Sequence, residues 1–218
     1  MTRRLICLSI AIAAIQAVSA VSYNAFAADE SASTKRIGAF HIEQAGAYHA
    51  LNEISEKANI VIGVEAVQPE KEPTVVLDFP GGTVADLLNM FTARVPDYRW
   101  QETSNGVIHV TRTSAHVSLL DVAIAYPGAD SKTRQQIWED IAERPEVSAW
   151  MNSVHCSRGE LFHGGEFRTH NGPISIAPGS LTVEQLLDDV TVKSGDNYWA
   201  VLQSPRSSSS CRVSIILW

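Results

Sequence analysis

Three histidines, His155, His163 and His170, follow one another at spacings of eight and seven, with Cys156 and Glu166 interleaved. Imidazole, thiolate and carboxylate are the groups that hold zinc or copper, so this stretch is the first place to look for a metal. The spacing does not support one. There is no H-x-x-x-H that would place two imidazoles on one helix face, no C-x-x-C and no H-E-x-x-H. Nucleophilic chemistry fares no better. Ser157 and Ser180 lie outside any G-x-S-x-G turn. The acid pairs Glu139-Asp140 and Asp188-Asp189 are adjacent in sequence, so on a helix their carboxylates diverge and are expected to face water. Neither G-x-x-x-x-G-K-[ST] nor G-x-G-x-x-G occurs, which leaves nucleotide binding without a phosphate cradle. The expectation is a non-enzyme with no catalytic residue, no cofactor and no metal site.

Export decides which cysteines matter. Arg3 and Arg4 precede an apolar run from Leu5 to Val21, and the segment closes on Ala25-Phe26-Ala27. These are the parts of a cleavable secretory signal, with cleavage expected after Ala27, although an uncleaved anchor has a similar outline. No later stretch is long and apolar enough to cross a bilayer. Losing residues 1–27 removes two arginines and no acid, so the formal charge of −7 becomes −9. An acidic chain without a basic cluster is a poor binder of nucleic acid. The expected localisation is periplasmic or secreted. Two cysteines remain, Cys156 and Cys211, and in an oxidising compartment such a pair most simply forms one bridge; a reactive thiol or a metal ligand are the alternatives.

The elements that would carry these residues are spelled out by capping and periodicity. Residues 28–36 are small, polar and charged and read as a disordered lead. A short strand near Phe40, a helix with Ala47, Leu51, Ile54 and Ala58 on one face, and a strand from Ile60 to Val64 follow. Next come a strand at 75–79, a helix at 84–94, and a hairpin whose arms are 98–101 and 107–110. Ser104-Asn105-Gly106 is its turn, with Asn-Gly expected to supply positive φ values. The order is β-α-β-β-α-β-β.

Part of this paragraph is written twice. Val75-Val76-Leu77, Pro80-Gly81 and Thr83-Val84-x-Asp86-Leu87-Leu88 return about a hundred residues later as Ile174-Ser175-Ile176, Pro178-Gly179 and Thr182-Val183-x-Gln185-Leu186-Leu187. In each copy a Thr stands three residues before Asp or Gln, the spacing of a helix-capping box. Behind it, Val84, Leu87, Leu88 and Phe91 match Val183, Leu186, Leu187 and Val190, the stripe of a helix lying on a sheet. The rest of the second half follows more loosely. Residues 117–126 read as strand or extended chain, Ser131 as the cap of a helix bearing Ile137, Trp138 and Ile141, and Val147–Val154 as a strand. Strand, turn and strand are expected over 161–167, and further strands at 198–202 and 212–217. Trp100 and the pair Tyr198-Trp199 each arrive just after a matched helix, where large aromatics seal helix to sheet or, alternatively, offer a stacking platform.

Residues 37–112 resemble the short N-terminal domain shared by secretins and TonB-dependent outer-membrane transducers. The residues that carry the likeness are Ala50-Leu51-x-x-Ile54, Asn59-Ile60-Val61-Ile62, Val75-Val76-Leu77, Thr83-Val84-x-x-Leu87-Leu88 and Asn105-Gly106-Val107-Ile108. The resemblance implies a small α+β domain that resides in the periplasm and docks on other envelope proteins. In those families the domain precedes a large barrel or ring-forming region, whereas residues up to Trp218 hold no porin-like series of strands.

Together these features predict an α+β fold of tandem βαββαβ-like halves, with helices packed on small mixed sheets. The expected divisions are a signal peptide at 1–27, the lead at 28–36, a first unit at 37–113 and a diverged second unit at 114–218. The expected function is an exported, non-catalytic protein–protein interaction module of an envelope system, with an envelope protein as partner. Its expected contact surface is an exposed strand edge in the 98–110 hairpin, with Arg99, Gln101 and His109 facing outward. The alternative is a periplasmic protein that binds a small ligand or metal through the aromatics and the 155–170 histidines.

Overall fold

A computed structural model describes residues 31–67, 74–114, 117–163, 172–204 and 211–217. Residues 1–27, expected to be a signal peptide, and Glu166 and His170 lie outside these residues. The fold is α+β. In the first half β1 (Arg36–Ile37) and β2 (Phe40–Ala45) lead into α1 (Ala47–Ala58) and β3 (Ile62–Val67). Then β4 (Thr74–Phe79), β5 (Gly82–Thr83) and α2 (Val84–Arg94) are followed by the hairpin β6 (Tyr98–Glu102) and β7 (Ile108–Arg112). The second half repeats the plan. β8 (Ala123–Tyr126) and β9 (Ala129–Lys132) precede a helical pair, α3 (Arg134–Ala142) and α4 (Pro145–Ser153), and then β10 (Cys156–His163). It closes with β11 (Ile174–Ile176), β12 (Gly179–Thr182), α5 (Val183–Ser194), β13 (Tyr198–Gln203) and β14 (Cys211–Leu217).

Strand pairing shows how deep the repetition runs. β1 pairs with β5 and β2 with β4, all antiparallel; β8 pairs with β12 and β9 with β11 in the same sense. The remaining strands make one six-stranded sheet of order β10-β14-β13-β3-β7-β6. Each half therefore contributes three adjacent strands, the first of them parallel to the second and the second antiparallel to the third. The halves meet where β13 runs parallel to β3, with Tyr198 opposite Ile62 and Trp199 opposite Gly63. The two units are thus fused through a continuous sheet.

Side-chain alternation along this sheet sends successive residues to opposite faces. Ile62, Val64, Ile108, Val110, Tyr198 and Ala200 enter one core with the stripes of α1 and α2. Trp199, Val201, Val213 and Ile215 enter a second core with α3, α4 and α5. Helices of the first half cover one face and helices of the second half cover the other. Following the strand directions, the second unit relates to the first by a half-turn about an axis running across the strands. That operation reverses every strand, swaps the faces and keeps the order.

Both expected capping boxes form. Thr83 accepts from the Asp86 amide and Asp86 reaches back to the Thr83 amide; Thr182 and Gln185 do the same. The bonds from the Thr83 amide and hydroxyl hold the Asp86 carboxyl below its ordinary range.

Several expectations need correction. Residues 31–36 of the lead are ordered: Ala32–Thr34 form a 3-10 turn and β1 pairs with β5. The third helix is capped by Thr133, not Ser131, which lies in β9 at φ 51°. Thr133-x-x-Gln136 forms the same reciprocal box as Thr182-x-x-Gln185. Residues 147–153 belong to α4 rather than to a strand. Pro145 occupies the first helical turn, where its missing N–H costs nothing, and Val147, Trp150 and Met151 bury one helical stripe. The hairpin turn is Ser104-Asn105-Gly106 as expected, closed by the Thr103 amide donating to Val107 O at 2.9 Å, but within it only Gly106 takes positive φ (79°).

Candidate functional site

The candidate surface is β6, the last strand of the sheet on its side, whose one strand neighbour among the described residues is β7. Its backbone register follows from two flanking bonds. Thr103 N donates to Val107 O at 2.9 Å and Thr113 N donates to Asp97 O at 2.8 Å. Hydrogen-bonded pairs alternate in an antiparallel ladder, so positions 97, 99, 101 and 103 turn their amides toward β7. The main-chain groups of Trp100 and Glu102 consequently point away from the sheet. Among the described residues no strand pairs with that side of β6.

The side chains of β6 divide by face. Arg99 and Gln101 are exposed, and Arg99 Nε reaches Thr111 Oγ1 at 3.5 Å. Tyr98 and Trp100 lie half-buried on the other face, against the first core. Trp100 is held there by its indole N–H, which donates to Asn89 Oδ1 on α2 at 3.0 Å. Glu102 fixes the end of the strand. It accepts from the Ala32 amide at 2.7 Å, the Ser31 hydroxyl at 2.5 Å and the Ser33 amide at 3.3 Å. Burial opposes its charge, but the bonds from Ser31, Ser33 and Ala32 outweigh that and hold its carboxyl below the ordinary range.

His109 is a different case, and the expectation that it faces outward is wrong. It is 1% exposed and lies between β7 and α5. Its Nε2 bonds Asp188 at 2.9 and 3.0 Å, while Nδ1 lies 2.7 Å from Glu184 Oε1. The second approach falls off the line of the ring N–H, so it acts as a charge contact more than an aligned hydrogen bond. Asp188 also accepts from the Trp199 indole N–H at 2.9 Å, and the His109 and Trp199 rings meet edge to face at 5.6 Å. Burial pulls the His109 pKa down; the bonds and charges of Asp188 and Glu184 overcome it and raise the pKa from 6.5 to about 9. At neutral pH a buried imidazolium therefore bridges two carboxylates one helical turn apart. It also joins the two halves, because β7 belongs to the first and α5 to the second.

Trp199 completes this seam. A Cβ built on Gly63 would stand 2.1 Å from Trp199 Cζ2, so only glycine lets the indole lie across β3. On the same sheet face Glu65 is buried and accepts from the Ser118 hydroxyl at 2.6 Å, and Ser118 in turn accepts from the Leu120 amide at 3.0 Å. Tyr198 and Trp199 are core residues, so they seal helix to sheet and offer no stacking platform. His155 is exposed at φ 54° after α4, and among the described residues no group of His, Cys, Asp and Glu could hold a metal ion.

Cys156 and Cys211 form the expected disulfide. They are register partners at the start of β10 and β14, so the bridge pins one outer strand of the sheet to its neighbour. No helix among the described residues is long and apolar enough to cross a membrane.

Glu184, Asp188, Glu65 and Gly63 carry the seam, and reading the sequence did not single them out for it. One signal was present: Glu184 and Asp188 stand four apart beside the apolar stripe of α5, so an inward turn of that helix aims both carboxylates at the sheet. Asp189, by contrast, faces water and pairs with Lys193 at 3.5 Å. Compared with known proteins, the chain matches no family model, and no curated protein is a significant match.

Proposed function

We propose that this chain is an exported, non-catalytic interaction module of a cell-envelope system, which takes a partner on the open edge of its six-stranded sheet. The observation that carries this reading is β6: a terminal strand with outward main-chain groups at Trp100 and Glu102, braced from behind by α2 and at its end by the 31–34 segment. Strand addition draws most of its affinity from main-chain hydrogen bonds, so such an edge needs rigidity more than a pocket. The disulfide between Cys156 and Cys211 supports residence in an oxidising compartment. The likeness of residues 37–112 to the short N-terminal domain of secretins and TonB-dependent transducers points to the same kind of work.

A photo-reactive side chain placed at Gln101, in cells producing the exported protein, tests this. The expected result is a discrete covalent adduct with an envelope protein, absent when the same group is placed at the exposed Gln135 of α3. Equal labelling from both positions, or none from Gln101, would refute the reading.

A further inference from the structure

The sequence holds no run of basic residues, yet the fold gathers three arginines at one end of the open edge. Arg94 lies in the last turn of α2, Arg99 in β6 and Arg112 at the end of β7. Arg112 is the register partner of Tyr98. The Tyr98 ring meets that of Phe91 at 6.2 Å, and Arg94 follows Phe91 by one helical turn. Arg94 and Arg112 therefore both stand near Tyr98 on the face that α2 covers, while Arg99 stands on the opposite face.

These cations are uncommitted. Lys57, Lys132, Arg134 and Lys193 each pair with a carboxylate. Among the described residues Arg94, Arg99 and Arg112 pair with none, and Arg99 touches only the Thr111 hydroxyl. Exposed Asp97 shares this end and leaves the cations in excess. Glu184 and Asp188, on the Arg99 face, are bridged by the His109 imidazolium. The other end of the edge has the opposite sign. The donors that hold the Glu102 carboxylate, from Ser31, Ala32 and Ser33, are neutral, so they solvate its charge without cancelling it.

We infer that the segment docking on β6 is an acidic stretch of an envelope protein, with its carboxylates grouped at the end that lies against Tyr98 and none beside Glu102. This rests on the edge-docking reading above and adds the partner's charge. The arginines straddle the edge, which favours a strand over an anionic lipid surface. Side chains of a guest strand alternate between faces, so its carboxylates reach Arg99 on one side and Arg94 and Arg112 on the other. A lipid surface would meet one face only.

A benzophenone side chain at Gln101, in cells producing the exported protein, tests this when the captured peptide is sequenced. That peptide should carry Asp or Glu grouped at one end. Changing Arg94, Arg99 and Arg112 together to Gln should lower the adduct yield about ten-fold, the scale of two or three exposed ion pairs. Changing them to Lys should retain most of the yield, because the charge remains. Arg112 is half-buried, so Arg94→Gln with Arg99→Gln is also measured alone; it should lose about five-fold with an unchanged urea midpoint. Lys132→Gln, in the second half, should change nothing. A neutral or basic captured peptide, capture of lipid instead of protein, or a yield indifferent to the arginines would overturn the inference. If Gln101 captures one envelope protein through a segment that is not acidic, the charge reading falls and edge docking stands. If Gln101 captures nothing, docking falls and the charge reading with it.

Discussion

Removing the charge on His109 should convert a pH-dependent protein into a nearly pH-independent one across the neutral range. In the folded chain the imidazolium faces Glu184 and Asp188 from α5, with Trp199 against its ring, and its pKa is raised from 6.5 to about 9. A group that binds its proton more tightly when folded stabilises the fold fully below the unfolded pKa, here 6.5. That contribution declines as pH rises and is gone above about 9. At 1.36 kcal/mol per unit, the full span amounts to about 3 kcal/mol. With a urea slope of about 2 kcal/mol per molar, the unfolding midpoint should fall by roughly 1.5 M between pH 6 and pH 9.5.

His109→Gln should have a lower midpoint at pH 6, because two carboxylates on one turn lose the cation between them, and breaking a buried pair costs about 3 kcal/mol or more. Its midpoint should then change little up to pH 9.5. Exposed His41 beside Asp78 is raised as well, but it titrates in both proteins and cancels in the comparison. Adding Asp188→Asn to His109→Gln should recover part of the loss, since it removes the more deeply buried of the two uncompensated carboxylates. Parallel pH curves for the two proteins, or a wild-type midpoint that rises toward pH 9.5, would refute the assignment of a charged bridge.

Other outcomes follow from the same geometry. Gly63→Ala should destabilise by about 3 kcal/mol, the upper end for overpacking, because its methyl meets the Trp199 ring at 2.1 Å; thermal unfolding with near-ultraviolet circular dichroism checks both stability and the indole environment. Thr83→Ala and Thr182→Ala should each cost about 1 kcal/mol, and urea melts of the double variant should show the two losses adding, since the caps share no partner. Replacing Cys156 and Cys211 together by serine should cost on the order of 4 kcal/mol for a closed loop of 55 residues, read as the difference in urea midpoints.

What the sequence reveals here divides by the range of the signal. Thr83-x-x-Asp86 and Thr182-x-x-Gln185 satisfy their own helix starts, so the capped helices are legible from residues within one turn. The apolar stripes behind them report which side meets a sheet. Neither says which sheet, and the fused six-stranded order depends on β13 meeting β3 across 136 positions of chain, from Ile62 to Tyr198. Residues 147–153 form a helix and not the expected strand because Pro145, two residues before Val147, stands at a helix start. His109 was misplaced for a related reason. Alternation along β7 puts it on the face opposite Ile108 and Val110, and in an isolated hairpin that face would be wet. Here α5 covers it, and the carboxylates that make burial tolerable lie 75 and 79 residues further along.

The repeated plan explains why one edge is closed and its counterpart open. A half-turn about an axis across the strands places every added unit on the opposite face, so the operation does not close on itself. Repeated between copies, it would extend the sheet without limit, and long apolar edges invite that outcome. The two equivalent strands differ in the direction that opposes it. Trp199, Val201 and Leu202 at the internal seam are buried, whereas β6 presents Arg99, Gln101 and Glu102, two of them exposed and the third tied to the 31–33 backbone. At the far end the disulfide holds β10 to β14. The internal junction is therefore sealed by apolar burial and one buried charge bridge, while the outer β6 edge keeps its main-chain groups but surrounds them with polar side chains. That combination disfavours indiscriminate stacking of one copy on another.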